Sequence, residues 1–486
     1  MIWYHLPLEV RFMVLSALTE DANCNLSSAA VVSREWQAAL EPHIFAYIRV
    51  MPPRIAQLNS MTQRNRGLVR YIWFCIELEP YDCETCHLYN GLFHGDSNND
   101  LILKSFRSLF TALSTWDLNG SLTLDVSLYS RSDRRHAFKY LTFMPDAPGH
   151  NVEPTLTAQN EEYNKHRWEA SGLGPRLPPR MSLESLFAYV TLTYERDLKY
   201  LRKMPKVTAV TRLVMRLQTH RTWNPRTIVP IISCLPKLRE FHYEPWRLWY
   251  DEMQELWDEG YLDLLAATKG LDKFTIFENF NQQFPLCFPE SDVLPIRVPS
   301  VSLSLKLARV NLSAEALSAS FMADAEHFFS ASSSTWPNLT SLTLTSQLLA
   351  PQTCPTELMD LFKAAASAAR SMPKLKTLEI WNGLEGLAAL FKYEFIPSYQ
   401  RRSAVTWRAT WRVSIQTEVV EAWEKVTRNW GDYPDGIDMV YESVNPEEIK
   451  SHADAVMNLK LSEMVIRPIS LQQIQREQSF IRSLVA

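Results

Sequence analysis

Glycine is scarce in this chain, with 13 residues in 486. Loops that wrap phosphate with backbone N–H groups need glycine, and no G-x-x-x-x-G-K-[ST], G-x-G-x-x-G or H-E-x-x-H pattern occurs. Nothing therefore announces a nucleotide or a catalytic metal. An excess of charge of one sign is also missing. Fifty Lys and Arg against 54 Asp and Glu leave a formal net charge of -4, which gives no drive toward nucleic acid or an anionic membrane. The short basic spots at Arg131, Arg134 and Arg135, or Arg401 and Arg402, read as solvated surface. No apolar run approaches the roughly 18 residues of a bilayer span. The opening residues, interrupted by His5, Pro7, Glu9 and Arg11, are unlike a secretion signal. The expected compartment is the cytosol, the nucleus or both, and seven scattered cysteines fit reduced thiols there better than disulfides.

What is present is an ordinary globular composition, 46% hydrophobic and 21% charged. The length calls for a small module plus a large body, or for a repeat array. The first fifty or so residues read as three short helices. Leu8 to Leu18 carries Val10, Met13, Val14 and Leu18 at helical spacing, with Pro7 where a first-turn proline costs nothing. Leu26 to Val32 resumes the pattern with Ser27 or Ser28 as cap, and Ser33 caps a third helix bearing Trp36, Ala39 and Leu40. A module this small buries little by itself, so a partner surface is a natural cover for its remaining apolar face.

Beyond Ile48 the pattern changes. Met204-Pro205-Lys206-Val207, Leu235-Pro236-Lys237-Leu238, Trp336-Pro337-Asn338-Leu339 and Met372-Pro373-Lys374-Leu375 repeat one tag, and three of them lead into L-x-x-L-x-L-like strands. The strand positions are Leu238, Phe241, Tyr243 and Leu248; Leu339, Leu342, Leu344 and Leu349; and Leu375, Leu378 and Ile380. Leu271, Phe274 and Ile276 fit without the tag, and Gln347 stands where a leucine-rich repeat usually keeps Asn or Cys. The starts lie about 30 to 36 residues apart, or multiples of that, with helical candidates at Asp251 to Ala267, Ala314 to Phe329 and Thr356 to Ala369 between them. The expected body, residues 51–395, is an irregular leucine-rich-repeat-like α/β solenoid of parallel strands backed by helices; an ordinary α/β domain is the plainer alternative. Further strands are expected at Leu68 to Leu78 and Ser121 to Leu128 around a helix near Lys104 to Trp116, and a long loop or disordered excursion at residues 146–179.

Residues 396–486 read as a C-terminal α+β portion. From Val405 to Ile415 apolar and polar residues alternate, predicting a half-buried strand, and Val419, Trp423, Val426 and Trp430 then recur at helical spacing. The two tryptophan rows are expected to pack together as core, and Ser470 with Gln473 to form a capping box for a final helix.

Motifs that suggest chemistry are short. Cys83-Glu84-Thr85-Cys86-His87 matches a c-type haem attachment pattern, which needs export. Zinc is the second reading, with Cys83, Cys86, His87 and His94 as donors, but the second C-x-x-C half is missing and an unliganded loop is favoured. Gly95-Asp96-Ser97 in a polar loop and Ser371 with Lys374 echo hydrolase nucleophile patterns at chance level. No catalytic residue and no cofactor is expected.

Leu6-Pro7-Leu8-Glu9-Val10, then Val14-Leu15, then Val31-Val32-Ser33-Arg34-Glu35-Trp36, closing near His43-Ile44-Phe45, resembles the F-box consensus in order and spacing over about forty residues. The linker Glu20 to Asn25 replaces the usual leucine-rich stretch. The remainder is similar to long F-box proteins of filamentous fungi, including the Tyr129-Ser130-Arg131-Ser132-Asp133 block and the tryptophan-rich C-terminal region. The resemblance implies an F-box at residues 1–50 whose Leu6, Pro7, Leu8, Val10, Val32 and Trp36 form or support the surface facing a Skp-type adaptor, and through it a cullin. It implies a non-catalytic substrate receptor of a ubiquitin ligase that binds a protein substrate through its body, with no nucleic acid or membrane partner. An F-box interaction protein acting outside ubiquitin transfer is the alternative, and an enzyme the least supported reading.

Overall fold

The tagged strands and their neighbours line up in a single sheet. The computed structural model describes residues 3–21, 24–81, 95–116, 121–133, 141, 143–146, 169–170, 176–177, 187, 189–248, 251–287, 294, 296–331, 335–396, 402–428, 436–462 and 464–485. Three helices come first, α1 (Leu8–Glu20), α2 (Leu26–Ala30) and α3 (Arg34–Ala46). Beside two short two-stranded pairs, twelve strands among the described residues build the main sheet: β1 (Tyr47–Val50), β2 (Tyr71–Glu77), β3 (Leu122–Tyr129), β4 (Val210–Met215), β5 (Glu240–Tyr243), β6 (Lys273–Phe277), β7 (Ala316–Asp324), β8 (Ser341–Thr345), β9 (Thr377–Leu384), β10 (Leu387–Ile396), β11 (Arg402–Ala409) and β12 (Ile437–Ser443). They form a mixed, mostly parallel sheet in which every strand lies beside its chain predecessor. Pairing is parallel from β1 to β9, antiparallel into and out of β10, and parallel again from β11 to β12.

Parallel neighbours need a return crossover. Helices α4 (Ile55–Thr62), α5 (Gly95–Leu113), α6 (Glu195–Arg202), α7 (Pro225–Ser233), α8 (Asp251–Ala267), α9 (Val301–Val310), α10 (Ala325–Phe329), α11 (Pro355–Ala369) and α12 (Thr417–Thr427) lie within those crossovers. The repeated proline tags are the turns that enter the strands. The Leu238, Leu339 and Leu375 amides donate back to the Leu235, Trp336 and Met372 carbonyls at 3.0, 3.4 and 3.1 Å, with proline at the second turn position. The flanking Leu235, Trp336, Met372, Leu339 and Leu375 are buried, which explains why the tag is apolar at both ends.

Register sorts the side chains. Ile48, Ile72, Leu124, Leu213, Phe241, Phe274, Leu317, Leu342 and Leu378 are aligned partners across β1 to β9, and they pack with the crossover helices in one core. On the opposite, front face the row one residue on reads Arg49, Trp73, Asp125, Val214, His242, Thr275, Ser318, Thr343 and Glu379. Over the later strands the front face is covered by α13 (His452–Leu459) and α14 (Pro468–Val485), while Trp73 near the sheet's start packs on Phe143. A second core joins Ala453, Val456, Leu459, Val465 and Ile474 to Phe277, Phe321 and Trp381. The contact is close at Gly383, where a Cβ would meet the Ala455 Cβ at 2.4 Å.

Several expectations need correction. Ala314 to Phe329 is not a helix: Ala316–Asp324 is β7, buried at all nine positions, and only Ala325–Phe329 is helical. Its Ala and Ser residues favour helix or are neutral, but pairing with β6 and β8 and burial on both faces hold it as a strand, so tertiary packing overrides propensity. Phe321, at φ 62°, marks the irregularity where the register with β8 shifts. The strand expected to reach Ile415 stops at Ala409, where the chain bends so that Trp407 Nε1 donates to the Trp411 carbonyl at 3.4 Å. Trp407 and Trp423 are buried in the same core, whereas Trp430 lies outside the described residues. Ser470 is not a cap, because α14 starts at Pro468 and the Ser470 hydroxyl donates to Glu244 at 2.5 Å. Asn25, rather than Ser27 or Ser28, caps α2 by accepting from the Ser28 amide at 3.1 Å. Gly95, expected in a loop, opens α5. Residues 146–179 lie mostly outside the described residues; Glu169–Ala170 and Arg176–Leu177 form a short antiparallel pair. Among the described residues no helix is long and apolar enough to cross a membrane.

Candidate adaptor-docking surface

Helix α1 is apolar around most of its circumference, which a small module cannot bury. Leu15 turns inward and is 2% exposed, with Leu18 half-buried beside it, while Val10, Met13 and Val14 form a stripe on the outer side. Leu18 therefore leaves the sticky face assigned to it from the sequence and joins the interior. That interior is small: Leu15, Ala30 and Leu40 are its buried members, with Trp3, Leu26, Trp36, Ala39 and Ile44 packed partly against them.

Polar contacts lock the helices together. Glu35 accepts from Trp3 Nε1 at 2.9 Å and from Arg11 Nη1 at 2.7 Å, tying the chain's start and α1 to α3. Ser33 caps α3, accepting from the Trp36 amide at 3.3 Å. Trp3 and Trp36 rings lie 5.1 Å apart, so Trp36 supports the module from within. The cap and the Glu35 bridge place the Val31-Val32 pair at the end of α2, where Val31 is 83% and Val32 64% exposed.

Of the six residues proposed to form or support the contact, Pro7, Leu8, Val10 and Val32 are exposed, and Leu6 and Trp36 are half-buried. Tyr4, Phe12, Met13, Val14 and Val31 are also exposed and belong to the same module. Met13 and Val14 belong to the apolar spacing legible in the sequence, whereas Tyr4 and Phe12 fall outside both that spacing and the motif. Eight of the 17 exposed large hydrophobic side chains among the described residues fall between Tyr4 and Val32, which concentrates unburied apolar surface in this module.

The module is joined to the body without a spacer, since β1 begins at Tyr47 directly after α3. Arg64 pairs with Glu41 of α3, and the Arg70 amide donates to the Ala46 carbonyl at 3.0 Å. A mainly apolar cavity of about 230 Å³ lies at this junction, lined by Ile44, Phe45, Tyr47, Ile48, Leu58 and Met61 among others.

A family model described as a family of unknown function (DUF6546) matches residues 266–467. The matched stretch runs from the end of α8 to the segment before α14 and excludes α1 to α3. No curated protein matches the chain.

The other motif residues fall elsewhere. Cys83, Cys86, His87 and His94 lie outside the described residues, and among the described residues no group of three or more His, Cys, Asp or Glu is placed to hold a metal. Lys374 Nζ donates to Asn338 Oδ1 at 2.9 Å, linking two proline turns. In the Tyr129 to Asp133 block, Asp133 accepts from Arg221 at 2.5 and 3.0 Å and from the Tyr81 hydroxyl at 3.0 Å, a buried tie between loops. Asp125 pairs with Arg216 at 2.6 Å, both side chains being fully buried. Burial alone would push the Asp125 carboxyl above its usual range, and the Arg216 guanidinium only partly offsets it.

Proposed function

We propose that this chain is an F-box substrate receptor of a cullin-type ubiquitin ligase. Helices α1 to α3 dock a Skp-type adaptor through Leu8, Val10, Val32 and their exposed neighbours, and the body holds a protein substrate. The observation that carries the reading is the outward apolar surface on the module whose sequence resembles the F-box consensus: Leu8 is 51%, Val10 38%, Met13 70% and Val32 64% exposed. The body is read as an irregular leucine-rich-repeat-like solenoid, supported by the strict chain-order stacking and the apolar row from Ile48 to Leu378. No chemistry is asked of the chain. It raises the effective concentration of a client's lysines beside a charged enzyme on the same scaffold, in the cytosol or the nucleus.

Co-expression with a Skp-type adaptor tests this. The wild type co-elutes with the adaptor on size exclusion, and the double variant Val10→Asp, Val32→Asp does not, while its melting curve is unchanged because both side chains already face solvent. Retention of the adaptor by that variant overturns the reading.

A further inference from the structure

The two faces of the sheet are both buried but differ in composition. The back row is apolar throughout, whereas the front row keeps the mixed, hydrophilic composition of a solvent-facing strand surface although Asp125, Thr275, Ser318, Thr343 and Glu379 are buried. Over β5 to β9 the cover is α13 and the segment running into α14, which buries Val465, Ile466 and Ile474 in the second core and adds polar contacts from its backbone and hydroxyls. Glu244 accepts from the Arg467 amide at 2.8 Å and from the Ser470 hydroxyl at 2.5 Å. Glu379 accepts from the Ser462 amide at 3.3 Å. Arg467 Nε reaches Asp146 at 2.5 Å, latching the cover to a loop 321 residues away in sequence; the Arg467 side chain is 36% exposed.

The fit is also incomplete. The Ser318 and Ser320 hydroxyls are buried without a hydrogen-bond partner in the protein. Leaving a buried hydroxyl unsatisfied costs about 1 to 3 kcal/mol. Polar side chains there make sense if the face also meets water or another chain.

We infer that residues 460–478 form a displaceable cover over a client-binding face made by the front of β5 to β9. The client that replaces it is a protein segment that turns into the start of a helix, offering main-chain N–H groups and a hydroxyl to Glu244 and Glu379, and a consecutive apolar pair like Val465-Ile466. Opening is a sub-global event of the kind that leaves a core intact, because the back-face core does not depend on the cover. Exposing Glu244 and Glu379 to water then relieves their burial. This rests on the reading of the body as a client holder, and it fails separately from adaptor docking, which involves other residues.

Hydrogen exchange of the full-length chain, with the double variant Arg467→Ala, Ser470→Ala beside it, tests the inference. In the wild type the amides of 460–478 exchange at least about tenfold faster than those of β6 to β8, and the variant raises the cover's rate about tenfold more without changing those strands. A labelled synthetic peptide spanning 458–478 binds the variant saturably and the wild type at least about tenfold more weakly. Exchange of cover and sheet as one cooperative unit in the wild type overturns the inference, as does a peptide that binds neither form. The wild-type measurement decides the case even where the variant fails to fold.

Discussion

The N-terminal module and the body use the same kinds of residue to opposite ends. The body turns its leucines and phenylalanines into a continuous core running from Val50 to Val426. The module buries Leu15, Ala30 and Leu40 and leaves eight large apolar side chains in solvent. Surface-to-volume scaling accounts for the first half of the contrast, since three short helices cannot enclose their own apolar surface. It does not account for the second, because polar substitution of the outer stripe would cost such a module nothing. The apolar residues left exposed there among the described residues are what the proposed docking of an adaptor would bury.

The largest effect that sharpens the contrast lies in the body. Leu342 stands mid-sheet, fully buried between Leu317 and Leu378. Leu342→Ala should lower unfolding free energy by about 2 to 5 kcal/mol through lost transfer energy and a residual cavity. Chemical denaturation measures it. A loss under about 1 kcal/mol would mean that the row relaxes as freely as the module's edge, and the contrast would weaken.

A smaller effect comes from pH and belongs to the front face alone. His452 is 1% exposed, with Nε2 2.7 Å from Asn279 Oδ1 and its ring 4.3 Å from that of Phe280. Burial lowers its pKa from 6.5 to about 3. Between those values the unfolded chain binds a proton that the native chain does not, so stability falls as pH drops below 6.5, by roughly 1.4 kcal/mol per unit. From pH 7 to 5 the loss from this residue is about 2 kcal/mol. Glu278, raised by burial to about 6 against Arg297 and Arg247, acts in the opposite sense, favouring the native state as pH falls from 6 toward 4.5. The difference between wild type and His452→Gln isolates the histidine: their gap should shrink on acidification. A gap independent of pH would place a protonated or solvated His452 in the native state, and the front face would then be wetter than its burial implies.

The parts of this architecture that were legible in the sequence share a physical basis. Strands at Leu339 to Leu344 and Leu375 to Ile380 announce themselves because their turns carry a proline between two buried apolar residues. Helix α8 was readable because its charged and apolar residues recur with helical period. By contrast β7, with sequence ALSASFMAD, is rich in Ala and Ser and has no sustained polar–apolar alternation, since both its faces are buried. Its strand state is set by Phe274 and Leu342 on either side, which no local window contains. The front-face cover was hidden for the same reason: Glu244 and Ser470 are 226 residues apart, and a buried carboxylate looks like a surface one in a string of letters. The proposed docking surface was half legible, because Pro7, Leu8, Val10 and Val31 follow a motif whereas Tyr4 and Phe12 show themselves only once the helices are placed.

The smallest expected effect on stability is the one that bears most on function. Met13 is 70% exposed on α1, two residues from Leu15, which is 2% exposed. Met13→Ser removes no packed contact and should change unfolding free energy by no more than about 0.5 kcal/mol, whereas Leu15→Ser empties the centre of a three-residue core. Amide exchange in residues 8–46 separates the two: the first variant keeps wild-type protection and the second loses it throughout the module. Adaptor capture then distinguishes a surface from a scaffold. If Met13→Ser weakens capture at wild-type protection, the outer stripe itself makes the contact. If capture fails only when protection fails, the helices merely hold their own shape, and the apolar stripe needs a different occupant.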